Sequence, residues 1–137
     1  MPKLHFIDSG LLSALMQLGA DEVRHDRTRF GSVLESFVFS EVLKHSNTSD
    51  GLYSLMHYRD ADKVEVDLVI ESAAGDVVGV EVKASATVKL SDLRGLKKLS
   101  TIAADKFKMG LVLYDGTETM PLGNGIWAAP LSTLWGL

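Results

Sequence analysis

Two runs of alternating residues limit the fold of this chain more than any other feature. Val64-Glu65-Val66-Asp67-Leu68-Val69-Ile70 and Val77-Val78-Gly79-Val80-Glu81-Val82-Lys83 flank the turn segment Ala73-Ala74-Gly75-Asp76. Strict period two predicts a β-hairpin with Val64, Val66, Leu68, Ile70, Val78, Val80 and Val82 on one face. Glu65, Asp67, Glu81 and Lys83 then share the other face. A hairpin centred on Ala74 sets Asp67 directly opposite Glu81. Carboxylates in that relation have Cβ atoms roughly 4.5–5.5 Å apart and repel unless a cation lies between them. A divalent ion is the expected candidate.

Composition bounds the rest. The 137 residues are 46% hydrophobic and 23% charged, enough for one domain with its own core. With no cysteine, disulfides and thiolate metal sites are excluded. No apolar stretch approaches the roughly 18 residues of a membrane span, and the start lacks a signal-peptide pattern, so a cytoplasmic location away from membranes is expected. A net charge of −4 argues against non-specific coating of nucleic acid, although it leaves room for a local phosphate-binding patch. Such a patch is present in the sequence. Between Lys89 and Lys108 six basic residues face two acidic ones, a local charge of +4 that leaves −8 for the remainder. In the same segment Leu93, Leu96, Leu99 and Ile102 form one helical stripe and Arg94, Lys97, Lys98 and Thr101 another. One side is expected to pack while the other presents cations.

The coarse reading begins with a short strand at Lys3–Ile7, then a helix over Gly10–Leu18, capped by Asp8 or Ser9 and stopped by Gly19. Residues 20–29 read as loop, Phe30 to about His45 as a second helix, Leu52–Arg59 as a strand and Asp60–Asp62 as a turn. Beyond the hairpin and the basic helix come strands at Met109–Tyr114 and Ile126–Ala129, a turn at Asp115-Gly116 and a terminal helical turn. The fold class expected is α/β, an α+β mixed sheet in the order helix, three strands, helix, strands. Residues 1–29 read as a lead-in to a single domain spanning 1–137.

Glu35 falls among Gly31, Val38, Phe39 and Val42 on the helical wheel, inside an apolar sector. A carboxylate there needs a cation, a proton or a strong donor. Arg59 and Lys83 are the salt-bridge partners considered, and shared use of a site with Asp67 and Glu81 is the functional alternative. His5, His25, His45 and His57 lack metal-ligand spacing and read as surface or loop residues. The serines, Ser32, Ser36 and Ser85 among them, lack a nucleophile elbow. Trp127 and Trp135 read as core or edge anchors.

A helical Glu35, a strand Asp67, then Glu81-Val82-Lys83 and a following basic helix resemble the PD-(D/E)XK nuclease core. The resemblance implies a restriction-endonuclease-like fold. In it Asp67 and Glu81 bind Mg²⁺, Lys83 acts on the attacking water or the phosphate, and Glu35 completes the catalytic set. Arg94, Lys97 and Lys98 would contact DNA. Val66 stands where the name-giving proline would be.

A narrower resemblance covers nearly the whole chain. It rests on Lys3 to Leu12, Phe30 to Val38, His57-Tyr58-Arg59 and Glu65 to Val69, which look like the C-terminal domain of unknown function of prokaryotic AAA+ ATPases. There it implies an accompanying ATPase and winged helix. The sequence has no Gly-x-x-x-x-Gly-Lys-Ser/Thr loop, so no ATP site of that kind is expected and the chain reads as a fragment of such a protein. The resemblance leaves open a non-catalytic DNA-binding or protein-docking module, and it does not predict an oligomeric state.

Overall fold

The computed structural model describes residues 3–136. Four helices, α1 (Ser9–Leu15), α2 (Ala20–His25), α3 (Phe30–Thr48) and α4 (Arg94–Ala103), accompany six strands. The strands are β1 (Tyr53–Arg59), β2 (Glu65–Ser72), β3 (Val77–Lys83), β4 (Phe107–Tyr114), β5 (Met120–Gly123) and β6 (Ile126–Pro130). They form one mixed sheet in the order β1-β2-β3-β4-β6-β5. β1, β2 and β3 run as antiparallel neighbours, whereas β3 and β4, and β4 and β6, are parallel. The mixed α+β class expected from the sequence is the class observed.

The β2–β3 hairpin takes the expected register, with Leu68 opposite Val80, Ile70 opposite Val78 and Glu71 opposite Val77. Its turn explains why. The Gly75 amide donates to the Ser72 carbonyl at 2.9 Å, and Gly75 adopts φ +78°, a left-handed geometry that glycine accepts without a Cβ penalty. That turn locks the pairing on both sides of it.

Alternation along β2 is not strict, which corrects the face assignment. Met56 pairs with Val69 and Tyr58 with Val66, so two steps along β1 oppose three along β2. The extra residue is a bulge between Val66 and Val69. Its effect is to send Val66 to the opposite face from Leu68. Val66 packs with Val69, Leu93, Leu96, Leu99, Val112 and Ile126, under α4. Leu68 packs with Leu34, Val38, Val80, Val82, Leu113 and Ala129, under α3. The sheet is thus covered on both faces, and Asp67 lies within the reversal.

Other elements depart from the expectations in ways that local chemistry explains. Lys3–Ile7 is not a strand, since it pairs with none of the six strands and its Lys3 side chain is drawn to Glu35 and Asp67 instead. Asp8 caps α1 as expected by accepting from the Leu11 amide, but the helix ends at Leu15 rather than Leu18. Residues 20–29 are not all loop, since Glu22 bonds back to the Gly19 amide at 2.9 Å and starts the short α2. The short edge strand β5 carries Pro121 and no alternating run, so periodicity could not reveal it. Ile102 does not join its stripe. It is 57% exposed while Leu93, Leu96 and Leu99 are buried. No helix among the described residues is long and apolar enough to cross a membrane.

The contrast within α4 yields a test. Leu96 is fully enclosed, so Leu96→Ala should lower unfolding free energy by about 2–5 kcal/mol in urea titrations, whereas Ile102→Ala should change it by less than about 0.5 kcal/mol.

Candidate functional site

The paired register of β2 and β3 stops at Leu68 and Val80. Beyond it the Asp67 side chain takes over a bond that a strand carbonyl would ordinarily make, with Oδ2 accepting from the Val82 amide at 2.9 Å. The two strand ends therefore part around a carboxylate. Asp67 and Glu81 are both buried, at 8% and 5% exposure. They adjoin each other just beyond the last ladder pair.

A cleft of about 270 Å³ opens at this end of the sheet, between the start of α3 and the start of α4. Glu35, Glu65, Asp67, Glu81, Lys83 and Arg94 line it, together with Lys63, Asp92 and Gly95. All four residues of the expected catalytic set are thus gathered in one cleft. Lys83 Nζ is 3.5 Å from Glu81 Oε2, the placement that alternate residues on one strand allow. Lys97 and Lys98 are not in the cleft. They lie on the exposed side of α4, where Lys98 is ion-paired with Asp60 at 2.9 Å. Of the three basic residues proposed for DNA, Arg94 alone borders the acids.

Glu35 finds a cation, but neither of the two considered. Its Oε2 is 2.6 Å from Nζ of Lys3, and the same amine is 3.3 Å from Asp67 Oδ1. Sequence reasoning missed Lys3 because it placed that residue on a strand. The available signal was the demand itself, an acid in an apolar sector with an unassigned lysine in the lead-in. Lys63 was missed as well. It sits at φ +59° in the tight turn before β2, where the Asp60 amide donates to the Val64 carbonyl and Asp60 Oδ1 accepts from the Val64 amide.

Burial dominates the electrostatics. It pushes the Glu81 carboxyl up to about 8, the adjacent Asp67 charge adds to the rise, and Lys83 offsets part of it. Burial also raises Glu35, with Asp67 adding and Lys3 opposing. For Lys3, burial works against the charged amine, but Glu35 and Asp67 outweigh it and hold the pKa above the ordinary lysine value.

Gly95 lets α4 approach this closely. A Cβ there would lie 2.0 Å from the Glu65 carbonyl oxygen and 2.7 Å from Glu81 Oε1. On the other side of Asp67 lies a smaller cavity of about 140 Å³, bordered by Lys3, His5, Phe39 and His57. His5 is stacked on Phe39 with ring centroids 4.5 Å apart, so it is a packed residue rather than a loose surface one. Ser85 bonds the Thr87 carbonyl at a strand end. Trp135 anchors the C-terminal turn to α3 through Phe37 and Glu41.

Among the described residues no three His, Asp or Glu side chains are clustered tightly enough to hold a metal ion. Of the acids lining the cleft, Asp67 and Glu81 are the adjoining buried pair and would be the residues to hold an ion there. Two hard oxygen donors that repel each other suit Mg²⁺, which commonly takes one or two carboxylates and completes its shell with water and phosphate oxygens.

Two outcomes check these electrostatics and the packing. The folded state keeps the Glu81 proton up to about pH 8, whereas the unfolded chain loses it near 4.5. Between those values the folded state binds more protons, so stability falls as pH rises. Thermal unfolding in EDTA should show Glu81→Gln more stable than wild type at pH 8.5, with the gap closing toward pH 5. Gly95→Ala should lower stability by about 1–3 kcal/mol or more, because α4 has to move off β2.

The chain matches a family profile described as "Domain of unknown function (DUF4143)" over residues 30–134. No curated protein and no solved structure matches it.

Proposed function

The chain belongs to that family of domains of unknown function, and we propose from its cleft that it is a PD-(D/E)XK nuclease-like domain suited to Mg²⁺-dependent phosphodiester hydrolysis of DNA. The observation that carries this reading is the meeting of Glu35, Asp67, Glu81 and Lys83 around one cleft of about 270 Å³. Asp67 and Glu81 would hold the ion, which when bound polarises a phosphate and brings water to it. Asp67 is oriented for this by the Val82 amide. Lys83, on the same strand face as Glu81, is placed to orient water or to meet charge developing on a phosphate oxygen. Glu35 supports the site from α3, and Arg94 offers the cleft a phosphate-facing cation at the start of α4. Lys97 and Lys98 lie outside the cleft on the exposed face of α4, with Lys98 paired to Asp60, so Arg94 is the one of the three placed to meet a phosphate at the site. In the resemblance on which this reading draws, an AAA+ ATPase and a winged helix accompany the domain and would deliver the nucleic acid.

One observation favours a second reading, a non-catalytic DNA-binding or docking module. Lys3 already sets an ammonium against two of the acids, Glu35 and Asp67, so a cation serves them without a metal.

Calorimetric titration with Mn²⁺ or Mg²⁺, paired with cleavage of plasmid DNA, separates the two. The nuclease reading expects heat from wild type and none from Asp67→Ala. It also expects Lys83→Met to keep the heat while losing at least about 10²-fold in cleavage rate. Heat without cleavage in wild type would establish the docking reading, and a featureless wild-type trace would remove the metal altogether.

A further inference from the structure

Lys3 reaches two of the cleft acids from behind, from the smaller cavity that it borders beside Asp67. Its amine lies between Glu35 Oε2 at 2.6 Å and Asp67 Oδ1 at 3.3 Å, the position in which a cation would relieve the buried acids. Yet the segment that carries it is weakly held. Among the described residues no backbone hydrogen bond ties Lys3–Ile7 to the sheet, and Leu4 and Ile7 are 91% and 78% exposed. A cavity of about 160 Å³ lies beneath the segment, bordered by Leu12, Ser32 and Ser36. Apart from the ion pairs, its main attachment is the His5 ring stacked on Phe39. A segment fixed by one charged side chain and one ring opens at little cost once that charge is balanced elsewhere.

We propose that Lys3 is a built-in counter-ion that competes with a divalent cation for Asp67, so that residues 3–7 form a strap which metal binding releases. The proposal rests on the reading that Asp67 and Glu81 take a metal. An ammonium and a divalent ion on one carboxylate repel each other. The strap thus keeps an ammonium against Asp67 and Glu35 while no metal is present. On release it uncovers the α3 side of the cleft, where Glu35 loses its partner and faces the site. Lys83 is not a substitute for this role, because it lies on β3 within the sheet and pairs with Glu81 instead.

Two measurements on the intact chain test this. Calorimetry with Mg²⁺ should give Lys3→Met a dissociation constant at least about tenfold lower than wild type, the factor expected when a competing charged hydrogen bond is removed. Acetylation footprinting of wild type, read by mass spectrometry, should show Lys3 reacting severalfold faster in saturating Mg²⁺, with exposed Lys44 and Lys97 unchanged as internal references. Equal affinities of wild type and Lys3→Met, with metal bound in both, would overturn the strap and leave the metal site standing. Tighter binding with unchanged Lys3 reactivity would also overturn it, since the lysine would then act only through its field. No metal heat in either protein would overturn both ideas together.

Discussion

Two carboxylates buried side by side are the costliest feature of this domain, and much of the surrounding structure is arranged to tolerate them. Asp67 and Glu81 meet because a type of turn that requires a left-handed residue at Gly75 fixes the β2–β3 register. The charge is then managed in three ways. Asp67 accepts a backbone amide and the Lys3 ammonium, Glu81 retains its proton toward alkaline pH, and Lys83 stands beside Glu81. Each of these costs less than leaving an unpaired ion in the interior.

The position of the cleft follows from the same constraint. Where β2 and β3 cease to pair, the sheet opens, and the bulge in β2 turns Asp67 between the two covered faces. α3 brings Glu35 from one side, and α4 brings Arg94 from the other. The close approach of α4 depends on the missing side chain at Gly95, beside the Glu65 carbonyl and the Glu81 carboxyl. Perturbed acids grouped in a cleft are a recognised mark of functional sites, and structural ion-pair networks produce the same mark. Here the network and the cleft are one and the same.

Much of this was legible in the sequence. Period two revealed β2 and β3, and the Ala-Ala-Gly-Asp turn gave their register, so the nearness of Asp67 to Glu81 was legible, although the ladder itself ends one residue earlier at Leu68 and Val80. The wheel position of Glu35 announced a carboxylate that required a partner. What escaped detection depended on tertiary supply. Lys3 was hidden because Lys-Leu-His-Phe-Ile alternates like a strand, and only the folded chain shows that the segment pairs with none of the six strands. The bulge was hidden because an inserted residue leaves no trace in a run that is apolar or acidic throughout. Ile102 kept the spacing of its stripe but lies past the end of the surface that α4 covers. Lys97 and Lys98 were assigned by charge, and charge alone does not say whether a residue borders a cleft or projects from the opposite side of its helix.

The convergence of the acids is tested most directly by a ¹³C-detected NMR titration of the glutamate side-chain carboxyls in metal-free protein. The account predicts one glutamate with a midpoint near 8, absent from Glu81→Gln. If every glutamate carboxyl instead titrates in the ordinary range near pH 4–5, Glu81 is neither desolvated nor pressed against Asp67, and the cleft described here does not exist in that form.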